Sequence, residues 1–326
     1  MHVLVTGGAG YIGSHACKAL KLAGFIPVAF DNLTTGWQQA VKFGPLVQGD
    51  LMDRASIDAA FAQYQPVAVM HFAALSLVGE SMTNPGKYWR TNVNGSLNLI
   101  EATLAAGVKN FVFSSTCATY GDLDGVALDE DTAQTPINAY GGSKCAIEMM
   151  LRDFQNSDGL NAVIFRYFNV AGADPHGEVG EQHIPETHLI PLMLDAIDGK
   201  RPALTVFGSD YSTPDGTCIR DYVHVSDLVD AHVLGLRWLI DGKASRIFCL
   251  GSGRGFSVRE VIEASRAVTN REVPIIQGTR RPGDATMLVS GSQRAVSELG
   301  WTPNRSTLTQ MIGDALVWSR KQPFAK

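Results

Sequence analysis

The chain opens with a short apolar run at residues 1–5 that stops at a glycine-rich loop. Apolar positions then recur at helical spacing over 11–23 (Ile12, Ala16, Ala19, Leu20, Ala23), and Gly24 ends the pattern. A second apolar run, 25–30, leads to Asp31. Further short runs at 46–48, 67–72, 110–114 and 162–165 predict strands, and 56–64, 92–106 and 140–155 predict helices between them. Strands alternating with helices predict an α/β fold of Rossmann type, a doubly wound parallel sheet covered on both faces.

Beyond about residue 168 the texture changes. Gly, Pro and His crowd residues 170–191 and regular alternation stops. Helical patterns return at 226–240 and 257–268, the second opening with the capping-box sequence Ser257-Val258-Arg259-Glu260. We therefore expect a nucleotide-binding domain over 1–168 and a smaller α/β lobe over 169–326. That lobe covers the carboxyl ends of the strands, and the chain is free to cross back between the two.

Composition narrows the function. The 326 residues are 45% hydrophobic and 18% charged, ordinary globular proportions. A formal net charge of −5 with no basic cluster argues against nucleic acid. An anionic ligand must be met locally, by helix N-termini and a few placed arginines. Cys17, Cys117, Cys145, Cys218 and Cys249 are odd in number and form no Cys-x-x-Cys pair. This predicts a reduced cytoplasmic protein with neither a disulfide framework nor a metal site. No signal-peptide pattern or membrane-length apolar stretch is present, so no membrane partner is expected.

The glycine loop reads Gly7-x-x-Gly10-x-x-Gly13 after a strand and before a helix. Glycine permits the tight turn and the close approach of backbone to a pyrophosphate, and the helix N-terminus offers free N–H groups. Asp31, 18 residues after Gly13, ends the second strand, where a carboxylate accepts from ribose hydroxyls and repels a 2′-phosphate. No Arg or Lys lies between Lys21 and Lys42, so NAD is favoured over NADP. Asp50, ending the third strand, is either an adenine contact or a capping loop residue. His71 ends an apolar strand without an acid partner and reads as a packed histidine. Ala73 and Ala74 leave room for a cofactor.

Tyr140 and Lys144 lie one helical turn apart and share a face. A phenol near pKa ~10 is a poor base, and a nearby ammonium together with a positive nicotinamide ring would favour the phenolate. Thr116, at the end of the fifth strand, can hydrogen-bond the same substrate hydroxyl, with Ser114 and Ser115 as alternatives. Glycine loop, hydroxyl, phenol and ammonium in this order predict hydride chemistry at an alcohol carbon, with tyrosine carrying the proton.

These residues resemble the extended short-chain dehydrogenase/reductase family, and within it the UDP-glucose 4-epimerases. The resemblance spans nearly the whole chain. It includes Asp31-Asn32-Leu33, His71-Phe72-Ala73-Ala74, Val78-Gly79-Glu80-Ser81 and Asn92-Val93-Asn94-Gly95. It continues through residues 166–172, 185–191 and 207–222 to Arg281-Pro282-Gly283-Asp284. The long run 207–222 is specific to the epimerase branch.

The resemblance implies Tyr140 as acid/base, Lys144 as its electrostatic partner and Thr116 as the adjoining hydroxyl. It implies an NAD site built first from Gly7, Gly10, Tyr11, Ile12 and Gly13. Asp31, Asn32, Thr35, Gly36, Asp50 and Leu51 would follow on the adenosine side. Phe72, Ala73, Ala74, Ser76, Asn92, Ser114, Tyr167 and Phe168 would continue it toward the nicotinamide. For a UDP-sugar it implies Asn169, Arg220 and Arg281 at the diphosphate and Asp284 at the ribose. Leu189, Thr205, Val206 and Phe207 would line the uracil side, with His188 nearby and Leu288 gating the sugar pocket.

A homodimer through helices 92–106 and 140–155 is also implied, although the same apolar residues would serve as intramolecular core. Ser76 stands where some members carry lysine, and Thr116 where serine is commoner. Cys117 and Ala118 replace the acid pair that dehydratases of this family carry after the threonine. The expected activity is interconversion of UDP-glucose and UDP-galactose through a 4-keto intermediate. The alternatives are a UDP-xylose/UDP-arabinose or UDP-N-acetylglucosamine 4-epimerase, or a non-catalytic NAD-sensing protein.

Overall fold

The computed structural model describes every residue except Asp124, Pro282, Gly283, Gln322, Pro323, Ala325 and Lys326. The Pro282-Gly283 part of the run ending at Asp284 thus lies outside the described residues. The early strands are β1 (His2–Thr6), β2 (Ile26–Asp31), β3 (Leu46–Gln48), β4 (Ala68–His71), β5 (Asn110–Thr116) and β6 (Asn161–Tyr167). Then come β7 (Asn169–Ala171), β8 (Leu204–Phe207), β9 (Ile219–His224) and β10 (Arg246–Leu250). Last are β11 (Gly255–Ser257), β12 (Ile275–Gly278) and β13 (Met287–Leu288).

Seven parallel strands form the main sheet in the order β10-β6-β5-β4-β1-β2-β3. This is the doubly wound arrangement, with the strand order reversing between β1 and β4, where a crevice opens at the carboxyl edge. Val3, Leu4 and Val5 are fully buried because helices cover both faces. Each such side chain contributes about 1.5–3 kcal/mol relative to exposure. Here the apolar runs of the sequence are buried on both faces, which is why they run continuously rather than alternate.

The chain crosses back late. After β9, the helix Val225–Ile240 buries Leu228, Ala231, Leu236 and Leu239 against the core under β1 and β6, and β10 pairs in parallel with β6. The remainder builds a second core, where Ile190, Met193 and Leu194 meet Val261, Met311 and Ile312. In this region β9 is flanked by β11 and β13 and also pairs with β7, while β8 pairs with β12.

Two helices depart from expectation. The stretch expected over 92–106 begins earlier, as a π-helical segment Trp89–Asn94, and becomes an α-helix only over Gly95–Ala105. The helix expected over 140–155 runs Ala139–Asp158. The Asn138 side chain caps its start by accepting from Gly141 N–H at 2.8 Å, and left-handed Gly159 (φ 69°) ends it.

Candidate functional site

The glycine loop is shaped by its neighbours. Gly7 has φ 72°, and a Cβ there would lie 2.7 Å from the Ala73 nitrogen. Only glycine lets the loop press against the end of β4. The helix Tyr11–Leu22 then starts with no side-chain cap and no acid in its first turn, leaving its N-terminus to a ligand. Asp31 closes the loop from β2: Oδ2 accepts from Ala9 N–H at 3.0 Å and Oδ1 from Leu33 N–H at 2.9 Å. Burial raises its pKa, and those two backbone donors oppose the rise. A neutral phosphate cradle beside an acidic strand end fits a dinucleotide with free ribose hydroxyls.

Other residues expected at this cofactor are fixed by their own neighbours. Asn32 donates to Asp50 Oδ2 at 3.0 Å, while Asp50 Oδ1 caps Met52 N–H at 2.8 Å. Asp50 is exposed after β3 and holds the local turn through Met52 N–H, the capping one of its two sequence readings. Gly36 touches Asp31 and Ala9, whereas Thr35 and Ser76 are exposed. Leu51 is buried beneath Gly95. Phe72 packs on the His232 ring at 5.0 Å. Asn92, within the π-helical segment, accepts from Leu75 N–H at 2.8 Å and donates to Leu75 O and Ser143 Oγ at 3.0 Å. Its amide therefore fixes the loop after β4. The Tyr11 hydroxyl donates to Gly172 O at 2.6 Å, tying the first helix to the segment after β7.

His71 is fully buried between Thr6 Oγ1 and Ser96 Oγ, each 2.7 Å away. Burial, with the Lys144 charge behind it, lowers its pKa to about 3. It is a neutral, satisfied core histidine.

The proton-handling groups converge at the end of β5. A short turn, Cys117–Thr119, follows Thr116, and a Cβ on Gly141 would meet Ala118 O at 2.3 Å. Glycine at 141 is what lets the helix start approach the Cys117–Thr119 turn so closely that the Thr116 side chain acts on the Tyr140 phenol. Burial and the adjacent Tyr167 phenol raise the Tyr140 pKa, and Thr116 acts against them. Lys144 is 3% exposed, and its Nζ donates to Ser114 O at 2.7 Å over the Phe113 ring at 4.9 Å. Burial lowers the Lys144 pKa to about 7, against the pull of Glu148.

Within the protein alone Lys144 is spent on a backbone carbonyl, and the phenolate is disfavoured. The Ser114 hydroxyl hydrogen-bonds the Tyr167 phenol, so the hydroxyl beside Tyr140 is that of Thr116, whose oxygen also accepts from Ala118 N–H at 3.2 Å. Ser115 is taken by Glu148.

Beneath these groups lies a buried pair that sequence reading missed. Arg166 Nη2 donates to Glu148 Oε2 at 2.7 Å with both side chains at most 3% exposed, and Arg166 also reaches Tyr120 Oη and Glu130 O. Both positions hold charge in otherwise apolar stretches, which is the signal they offered.

The second cluster gathers on β8, β9 and β13. Arg220 bonds its neighbour's carbonyl, Ile219 O, at 2.9 Å, lies 3.6 Å from Asp284, and pairs in register with Leu288. Asp221 faces away and accepts from the N–H groups of Ser252, Gly253 and Ser290. Arg220 thus pairs with Asp284 rather than with its chain neighbour Asp221. Arg281 stacks over Phe207 at 3.9 Å, on the strand that carries Thr205 and Val206. Phe168 is 6% exposed, in a cluster with Cys117 and Cys249 against which Leu288 packs, and Asn169 starts β7 beside Tyr222. Leu189 opens the helix Leu189–Ile197, with His188 as its N-cap residue.

His188 belongs to a further group that sequence reading passed over. Its Nδ1 lies 2.8 Å from Glu186 and 2.9 Å from Glu181. His183 completes the group, and its pKa rises to about 9: burial pulls it down, but the neighbouring Glu181 and Glu186 carboxylates outweigh that. The spacing Glu-x-His-x-x-Glu-x-His was the available signal.

Comparison with known proteins follows the same outline. A family model described as "NAD dependent epimerase/dehydratase family" matches residues 3–251. The chain is 48% identical over 319 residues to a UDP-glucose 4-epimerase of Rhizobium leguminosarum bv. trifolii, covering 98% of this chain and 97% of that one. The crystal structure of a Brucella ovis UDP-glucose 4-epimerase in complex with NAD superposes with TM-score 0.94 at 46% identity, covering 97% of each chain. That of a Bifidobacterium longum UDP-glucose 4-epimerase in complex with NAD+ and UDP gives TM-score 0.93 at 34% identity, covering 99% of each.

Proposed function

This chain belongs to the NAD dependent epimerase/dehydratase family, and on that footing we propose that it interconverts UDP-glucose and UDP-galactose as an NAD-dependent 4-epimerase. The observation that carries the reading is the placement of Thr116 beside the buried Tyr140 phenol, across the carboxyl edge of the sheet from an uncapped helix N-terminus. NAD, when bound along Gly7, Gly10 and Gly13, supplies the reversible hydride acceptor. Thr116 orients the C4 hydroxyl, and Tyr140 takes its proton and later returns one.

Arg220, Arg281 and Asn169 hold the diphosphate, and Asp284 the ribose, so the nucleotide stays anchored while the 4-keto sugar turns over. Binding concentrated on the nucleotide leaves the sugar free to present either face. Two guanidiniums suit a diphosphate in a protein of net negative charge.

No helix among the described residues is long and apolar enough to cross a membrane. All five cysteines are free, in keeping with action in a reducing cytoplasm. Met82, Trp89, Ile137 and Met149 are exposed around the helix Ala139–Asp158, an apolar face that a second copy of the chain would cover. Light scattering on purified protein should give twice the chain mass; a monomer at micromolar concentration rejects the homodimer.

The activity is tested with purified protein and UDP-galactose, without added cofactor, followed by proton NMR of the anomeric region. Conversion to UDP-glucose that disappears in Tyr140→Phe supports the reading. No conversion with or without NAD+ rejects it.

A further inference from the structure

Glu181, His183, Glu186 and His188 bring one ligating atom each to a common point, all within 4.8 Å of one another. His188 Nδ1 is 2.9 Å from Glu181 Oε1 and 2.8 Å from Glu186 Oε1. His183 Nδ1 is 3.3 Å from Glu181 Oε1 and 3.5 Å from Glu186 Oε2. In a tetrahedral site with bonds of about 2.0–2.2 Å, neighbouring ligand atoms sit roughly 3.3–3.6 Å apart, so the His183 distances match and His188, now hydrogen-bonded to Glu186, would move outward by about half an ångström. We propose that these four side chains form a binding site for one divalent transition ion of the zinc type.

A second observation points the same way. The His183 Nδ1 atom is buried, yet it makes no hydrogen bond despite two carboxylate oxygens nearby. It is directed at neither oxygen, as a nitrogen aimed at a shared centre would be. Two imidazoles and two carboxylates are borderline ligands suited to zinc, and two negative charges neutralise a dication. Four protein ligands make the site closed, hence structural.

Lys18 is engaged by Asp174 and Glu178 on the same loop. The surroundings also say what an ion would hold. Trp318 Nε1 donates to Glu181 O at 2.9 Å, and Trp37 Nε1 to Gln182 O at 2.8 Å. The Tyr11 ring stands edge-on to His183 with centroids 6.4 Å apart. The loop therefore bridges the glycine-loop helix, the C-terminal helix Leu308–Arg320 and the start of the helix Leu189–Ile197. One ion would staple all three. His188 would bind through Nδ1 and keep Nε2 for other contacts.

Metal ligands bind deprotonated, so binding is expected to release protons. The test is calorimetric titration of the chelator-treated, dialysed full-length protein with Zn2+, in two buffers of different ionisation enthalpy. Cobalt absorption reads the geometry independently. One ion per chain, proton release and a tetrahedral cobalt spectrum are expected. His183→Ala and Glu186→Gln should each bind about tenfold or more weakly, and Glu178→Gln like the parent.

Absence of saturable binding, binding unchanged in both variants, or a six-coordinate cobalt spectrum overturns the proposal and leaves an ion-pair cluster. Should the variants fail to fold, the parent's stoichiometry and cobalt spectrum still decide. Neither readout depends on epimerase turnover.

Discussion

Lys144 Nζ donates to the Ser114 carbonyl at 2.7 Å, so the ammonium is anchored to the strand whose last residue, Thr116, stands beside Tyr140. The lysine has two tasks: bracing β5 against the helix Ala139–Asp158, and placing positive charge near the phenol. Burial has already lowered its pKa to about 7 while raising that of Tyr140. The pair is therefore poised near neutral pH only when further positive charge favours the phenolate. Tyr140→Phe should lower kcat by about 10²–10⁴, the usual reach of a positioned acid/base, with NAD content unchanged. Lys144→Met should lower kcat and loosen β5. Steady-state rates and bound-cofactor absorbance check both.

Gly141→Ala inserts a Cβ 2.3 Å from Ala118 O. By helix propensity alone alanine should stabilise by roughly 0.5–1 kcal/mol. The clash reverses the sign, because the helix start must retreat from the Cys117–Thr119 turn. We expect a loss of about 1–3 kcal/mol and a fall in kcat without a matching rise in KM, since Tyr140 moves away from Thr116. Urea denaturation alongside kinetics tests it. A stabilised, fully active variant contradicts the role given to Gly141.

Arg166→Met strands the Glu148 carboxylate, which is 1% exposed. Removing one partner of a buried pair costs about 3–5 kcal/mol. Replacing both, Arg166→Met with Glu148→Leu, should recover much of that loss. The cost arises from an unpaired buried charge rather than from a large net worth of the pair. Thermal unfolding of the three proteins gives the comparison, and a double variant no better than the single one refutes it.

This pair shows why part of the site was illegible in sequence. Tyr140 and Lys144 announce themselves because helical periodicity puts i and i+4 on one face. Asp31 does so because a strand end after a glycine loop has few uses for a carboxylate. The Ser114 carbonyl carries no sequence signature at all, being backbone. Arg166 and Glu148 meet only because β6 lies beside β5, a long-range fact. The return of β10 to the main sheet and the π-helical start at Trp89 are likewise set by packing, through Val163, Phe248 and Asn92, rather than by local pattern. The Glu181–His188 group stands in irregular chain, where no periodicity marks which residues face one another.

Asp284 lies 3.6 Å from Arg220. If Asp284 holds the ribose while Arg220 holds the diphosphate, the acid also orients the guanidinium. Asp284→Asn should then raise KM for UDP-galactose by about 10–100-fold, the worth of a charge-assisted bond, and change kcat less. Arg220→Lys should not rescue binding, because an ammonium lacks the two-pronged geometry. Saturation kinetics separate the terms, and an equal fall in kcat would place these residues at the sugar instead.

Acid stability follows from three histidines buried in neutral form. Burial lowers His15 and His232 to about 4 and His71 to about 3, while the unfolded chain titrates near 6.5. Because the unfolded state takes up protons first, stability is intact above about pH 6.5 and falls as the pH drops toward the folded values. Each group removes up to about 1.4 kcal/mol per pH unit in that window. His232 isolates one share. Its Nδ1 bonds Leu228 O at 2.9 Å, its Nε2 has no partner, and Phe72 and Phe165 pack on its ring. His232→Phe keeps the aromatic contacts and removes the proton site. The stability difference between about pH 7.5 and pH 5 should shrink by roughly 2 kcal/mol. Urea titrations at the two pH values measure it. An undiminished difference would mean that His232 is not held neutral in the fold.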